Sequence, residues 1–139
     1  MTSTIDPEFA RSFEDASAAL IDRIRQAISV FRAASPDYQA AWELRSTPRD
    51  WETQVLSNLE KYHSGVQAAL RAYQGGDIEP ITLEAARYKG LSKGLDGYRL
   101  DWMTEQHRLA VEEAIGLVVR IANRIHHLGY DELEKTGRL

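Results

Sequence analysis

Glu60-Lys61-Tyr62-His63 sets a carboxylate and an imidazole three residues apart. That is the spacing by which one helix of a di-iron carboxylate bundle offers two ligands to a metal. Such bundles repeat the motif on a second helix and add further inward glutamates. This chain carries one copy, so the favoured expectation for His63 is a hydrogen-bonded histidine at the edge of a core. A metal-dependent helical-bundle enzyme using Glu60 and His63 is the second alternative for function. The other histidines add little to it. His107 falls near the apolar face of the last long helix and is a candidate subunit-interface residue. His126 and His127 are neighbours, and neighbours on a helix point about 100° apart, which suits one ion poorly. His126 and His127 also lie near a helix C-terminus, where the dipole favours positive charge. Ser64-Gly65 and Ser92 lack the strand-turn-helix surroundings of a nucleophile elbow. With no cysteine, disulfides and thiolate chemistry are excluded. The residues predict no catalytic constellation, no enzyme activity and no cofactor.

The stretch AARYKGLSKGLDGY, residues 85–98, is the densest cluster of positive charge, with three glycines in eight residues. Ala86-x-x-x-Gly90-x-Ser92 has the spacing of the turn in a DNA-reading helix-turn-helix, in which glycine takes the tight turn. The supporting core is missing. Lys89 occupies a position that needs an apolar side chain, and Asp96 and Arg99 fall on the inner face of the second helix. Gly94 and Gly97 would sit inside that helix, each costing about 1 kcal/mol relative to alanine. A DNA-binding regulator using a degenerate motif at 82–100 is therefore the first alternative only. A phosphate loop of the Walker type fails on spacing and lacks a preceding strand. Two structural readings stand ahead of both. Gly90, Gly94 and Gly97 form either a hinge or, with Ala86, a smooth face for close packing. Arg87, Tyr88, Lys89, Lys93 and Arg99 are then candidates for contact with a partner.

The elements that would position these residues are helical. Asp6-Pro7-Glu8, Ser35-Pro36-Asp37 and Thr47-Pro48-Arg49-Asp50 share one grammar: a capping side chain, proline at the first helical position, then an acidic residue. Pro80 marks a further start. Phe9, Phe13, Ala16, Leu20, Ile24, Ala27 and Phe31 recur every three or four residues, one face of an amphipathic helix. A short helix from Asp37 to about Arg45 presents Tyr38 and Trp42, aromatic residues suited to anchoring a partner. Trp51, Val55, Leu59, Tyr62, Val66, Leu70 and Tyr73 make a second long stripe, stopped by Gly75-Gly76-Asp77. A short helix follows near Thr82–Lys89. The last long helix is expected from about Tyr98 to Leu128, with two adjacent apolar stripes. One runs Ala110, Ala114, Leu117, Ile121, Leu128; the other runs Val111, Ile115, Val118, Ala122, Ile125. So wide an apolar surface belongs to the most buried helix or to one shared with a second subunit.

The expected fold is all-α, a helical bundle of three long antiparallel helices plus two short helices. It forms a single domain over residues 1–139, with 1–6 frayed and 130–139 either frayed or holding one more helical turn after Gly129. The 139 residues suit one domain, and 43% apolar against 27% charged is an ordinary globular balance. No run of 18 apolar residues is present, so no membrane span is expected. The N-terminus lacks the pattern of a secretory signal, which makes cytoplasmic the default location. A net charge of −4 disfavours nucleic acid as a partner, since backbone binding is driven by a basic excess. The function this leaves is a non-enzymatic protein-binding module: an adaptor, chaperone, immunity-type or inhibitor protein acting by surface occlusion. Its partner would be another protein, with a homodimer also expected.

Overall fold

The structure, a computed structural model, describes residues 5–44 and 47–137. Residues 1–4, 138 and 139 of the expected frayed ends lie outside the described residues, as does Arg45 of the second expected helix. Among the described residues the protein is all-α: α1 Pro7–Arg32, α2 Pro36–Glu43, α3 Thr47–Asp50, α4 Leu56–Gln74, α5 Glu79–Lys89, α6 Leu91–Gly94 and α7 Glu105–Lys135. A π-helical turn, Trp51–Val55, joins α3 to α4 without a break in helical backbone, so the three run as one leg. No helix among the described residues is long and apolar enough to cross a membrane.

The capping grammar is realised atom by atom. Asp6 Oδ1 accepts from the Glu8 N–H at 2.7 Å, and Ser35 Oγ accepts from the Tyr38 N–H at 3.3 Å. Both satisfy amides that the first helical turn leaves free. Thr47 lies within α3 and does not precede it. At the end of α4, the Gly76 N–H reaches Tyr73 O at 2.9 Å and the Asp77 N–H reaches Ala72 O at 3.0 Å. This paired pattern requires left-handed backbone at Gly76, where φ is 98°, and glycine adopts it without a Cβ penalty.

The legs alternate in direction. Ser17 meets His63, Arg25 meets Glu60, Arg32 meets Glu52 and Ile5 meets Tyr73, so α1 and the α3–α4 leg are antiparallel. Tyr62 packs edge-on against Tyr88, and Gly65 lies against Glu84, which makes α5 antiparallel to α4. Thr82 abuts Gly129 and Lys89 reaches His126, which makes α7 antiparallel to α5. α1 packs chiefly on α4 and α7, and α5 packs on the same two. The result is an up-down-up-down bundle of three long legs, in which the short α5, extended by α6, serves as the fourth. Phe13 and Tyr88 meet across its centre at 5.1 Å, edge to face.

Because the α5–α6 leg is short, one end of the bundle is closed differently. Residues 95–104 leave the helix and cross that end, burying Trp102 and Met103. The Trp102 ring packs edge-on against Phe31 at 5.5 Å and against Trp51 at 6.3 Å. The Trp51 indole N–H donates to Arg99 O at 2.8 Å, and the Tyr38 hydroxyl donates to Trp102 O at 2.9 Å. All buried apolar residues form one continuous cluster.

The limits expected for the last helix are corrected at both ends. It begins at Glu105, not Tyr98, where Thr104 caps it by accepting from the His107 N–H at 3.3 Å. It continues through Gly129 to Lys135, so residues 130–135 are helical and not frayed. Gly129 is buried mid-helix because α5 seats there; it is not a stop.

Candidate functional site

The stretch 85–98 resolves into the end of α5, a break at Gly90, the single turn α6, and the start of the crossing segment. α6 has four residues, too few for a helix that reads a DNA groove. Within this stretch the three glycines do not mediate close packing. A Cβ added at Gly90, Gly94 or Gly97 would meet nothing within 4 Å. None takes left-handed backbone, since positive φ among the described residues occurs only at Gly76 and Gly137. The helix breaks at Gly90, Gly94 is the last residue of α6, and Gly97 lies in the crossing segment.

The open side of Gly90 and Gly94 lines a groove of about 270 Å³ between the α3–α4 leg and α5–α6. Ala86, Gly90 and Gly94 form one wall at helical spacing. Val55, Leu59 and Tyr62 form the facing wall, with Asn58 at its edge. Leu91 is the buried floor, and Leu95 and Tyr98 close the end. Tyr98 is fixed there by its hydroxyl, which donates to Gln54 Oε1 at 2.8 Å. Arg87 is the charged residue that lines the groove, and its Nε stands 3.9 Å from Glu84 Oε2. Lys93 is exposed on α6 beside it. The wall residues from the α3–α4 leg were read from the sequence only as core, because their stripe is continuous with buried positions.

The predicted partner-contact residues are not brought together. Tyr88 is fully buried, 0% exposed, and so cannot touch a partner; the side chains of Arg87 and Lys89 point elsewhere on the helix. Lys89 instead faces α7, its Nζ 3.4 Å from His126 Nδ1. His126 is held below its ordinary value, by burial first and then by Lys89 and His127. Arg99 belongs to the crossing segment. It donates to Asp101 from Nε at 3.2 Å and Nη2 at 2.6 Å, and its guanidinium lies 5.6 Å from the Trp42 ring centroid. Tyr38 and Trp42 pack on each other and brace that segment, so their rings are structural struts before they are contact anchors. His107 is half-buried in the first turn of α7, not midway along an apolar face.

Glu60 and His63 diverge. Glu60 pairs with Arg25 at 2.7 Å on the surface, while His63 Nδ1 lies 2.5 Å from Ser17 Oγ. No group of three or more His, Asp or Glu side chains suited to a metal occurs among the described residues. Ser17 is 1% exposed and its hydroxyl donates to Glu14 O at 3.0 Å. Which of the two donates follows the imidazole tautomer. With Ser17 buried on α1 and His63 on α4, the pair ties the two helices together.

Beside it, the Tyr88 hydroxyl makes no hydrogen bond of normal geometry among the described residues. Burial raises its proton affinity well above the ordinary tyrosine range; the Ser17 hydroxyl opposes that shift, and Glu84 and Tyr62 add to it. The folded state therefore holds the phenol proton more tightly than the unfolded chain. The stabilisation is complete below the unfolded value of about 10 and declines as pH rises past it, by up to about 1.4 kcal/mol per pH unit. Replacing Tyr88 with Phe should leave stability at pH 7 unchanged or raise it by up to about 1 kcal/mol, and should flatten the alkaline decline. Urea melts across this pH range test both. A loss above about 1 kcal/mol at neutral pH would show that the hydroxyl is hydrogen-bonded after all.

No protein-family model, no curated protein and no solved structure matches this chain.

Proposed function

We propose that the protein is a non-enzymatic protein-binding module that seats a helical segment of another protein in the groove between the α3–α4 leg and α5–α6. It acts as an adaptor, chaperone, immunity-type protein or inhibitor, by occluding the surface it binds. The observation that carries this reading is the unfilled wall of Ala86, Gly90 and Gly94, against which an added Cβ at either glycine would find no neighbour within 4 Å. Small residues at helical spacing let another backbone approach closely. On the facing wall the half-buried Tyr62 offers apolar area to its side chains, with the buried Val55 and Leu59 behind it. Arg87 and Lys93 favour an acidic flank on the bound segment, through steering and register more than through raw affinity. Helix-in-groove docking of this kind reads as anchors at i, i+3, i+4 and i+7 on the bound helix.

The test fills the groove without disturbing the fold. Gly94→Leu places a side chain into open space and removes a glycine from a helical turn, so the thermal midpoint should hold or rise. Affinity capture from the native cell should recover a stoichiometric protein with the wild-type chain and lose it with Gly94→Leu. Retention of that protein at undiminished yield by the filled variant would remove the groove from the mechanism.

A further inference from the structure

α7 carries more apolar surface than the bundle uses. Its buried row is Val111, Ala114, Val118, Ala122, Ile125, Gly129 and Leu133. Beside that row lie Ala110, Leu117, Ile121 and Leu128, within an arc of about 40° at 100° per residue. Leu117 is 43% exposed and Ala110, Ile121 and Leu128 are half-buried, the last two with one side against the core and the other outward. The spacing of these four is seven, four and seven residues, so it reads the same in both chain directions. A twofold axis crossing α7 at residue 119 maps the stripe onto itself. It sets Leu117 against the partner's Ile121 and Ala110 against the partner's Leu128, the self-complementary pattern of an isologous interface.

Charge follows the same symmetry. Glu113 and Arg124 are exposed on the solvent edge of the stripe, and neither forms an ion pair among the described residues. They stand six residues before and five after position 119. A twofold axis keeps like edges together, so each Glu113 comes beside the partner's Arg124, giving two cross-pairs. Arg120, the charge nearest the axis, is folded back along its own helix. Its Nη1 lies 3.4 Å from where a Cβ on Gly116 would sit, on the side away from the stripe. The axis is thus free of an Arg–Arg clash.

We propose that the protein forms a symmetric homodimer through the outer face of α7, packed antiparallel about residue 119. This face is separate from the α4/α5–α6 groove, so each docking surface stands or falls alone. It also moves the subunit interface away from His107, to the first of the two predicted stripes, of which only Ala114 is buried in the bundle.

Sedimentation equilibrium of the full chain over micromolar concentrations tests it. The wild type should have the mass of a dimer, and Leu117→Glu should be a monomer with an unchanged circular-dichroism melt. Glu113→Arg and Arg124→Glu should each raise the dimer dissociation constant about tenfold or more, since each converts both cross-pairs to like-charge contacts. The double exchange, Glu113→Arg with Arg124→Glu, should recover most of that loss. A wild-type monomer throughout, a Leu117→Glu variant that remains dimeric, or a double exchange no tighter than the single variants would each overturn the proposal.

Discussion

Truncating Trp51 to alanine should lower stability by about 3–5 kcal/mol, the range for removing a fully buried large aromatic side chain. Trp51 is 0% exposed. Its ring is packed edge-on by Tyr98 at 6.1 Å and by Trp102 at 6.3 Å. Its indole N–H is the bond that ties Arg99 O, and with it the crossing segment, to the end of the bundle. Alanine would remove the area, the edge contacts and the tether together. Phenylalanine separates them in part: it keeps an aromatic ring, strands the Arg99 carbonyl and leaves a smaller void, for a loss of about 2–3 kcal/mol. Chemical denaturation measures both losses. Hydrogen exchange at the amides of residues 95–104 shows where they fall, because an untethered segment opens before the bundle does. A Trp51→Ala loss below about 1.5 kcal/mol would mean that the bundle end closes without this plug. The consequence reaches the groove, since Leu95 and Tyr98 of this segment close its end. Trp51→Phe should therefore weaken partner capture while most of the fold persists.

The parts of the fold legible in the sequence were those set by local chemistry and period. Phe9, Phe13, Ala16, Leu20, Ile24, Ala27 and Phe31 read as one face; Phe9 is half-buried and the other six are buried. Asp6 and Ser35 cap the helices they precede, and Gly76 stops α4. These depend on residues within one or two turns of each other. The misplaced start of α7 is of another kind. Tyr98 and Trp102 extend the apolar period of the helix backwards, yet both are held in the crossing segment by tertiary bonds to Gln54 and by packing on Phe31 and Trp51. Period alone cannot separate a helical residue from one buried by a loop. Thr104, whose side chain caps the observed start, was the usable signal.

The candidate site was half legible for a related reason. Ala86, Gly90 and Gly94 were recognised as a small-residue face, but the sequence does not say whether the chain covers it. Tyr88 was grouped with Arg87 and Lys89 because it lies between them. On a helix such neighbours diverge by about 100°, and Tyr88 turns inward to meet Phe13 and Tyr62. The long-range partners that decide these cases lie more than 20 residues away and leave no periodic trace.

The same distinction governs the glycines that do pack closely, and it yields the sharpest contrast in sign. Gly→Ala inside a helix ordinarily stabilises by about 1 kcal/mol, through propensity. Gly116→Ala should follow that rule. The nearest atom to its added Cβ is Arg120 Nη1 at 3.4 Å, the tip of a flexible exposed side chain that can swing aside. Gly129→Ala should reverse it. Its Cβ would collide with Thr82 Oγ1 and stand 3.0 Å from both Thr82 Cβ and Cγ2. Thr82 cannot yield in the same way, because it is 3% exposed and its hydroxyl donates to Ile78 O at 2.8 Å. Either α5 lifts from α7 or Thr82 leaves its rotamer, and overpacking of this kind costs about 1–3 kcal/mol, or more where, as here, neither wall moves easily. The net expectation is a loss of about 2 kcal/mol for Gly129→Ala beside a gain of up to about 1 kcal/mol for Gly116→Ala, read as thermal midpoints moving in opposite directions. The double variant Gly129→Ala with Thr82→Ala should be less damaged than the two single losses added together, because the second change removes two of the three clashing atoms. If Gly129→Ala proves as stabilising as Gly116→Ala, α5 does not seat against α7 at this glycine. The short fourth leg would then lose its closest anchor, and the wall that α5 lends to the groove would lose its fixed position.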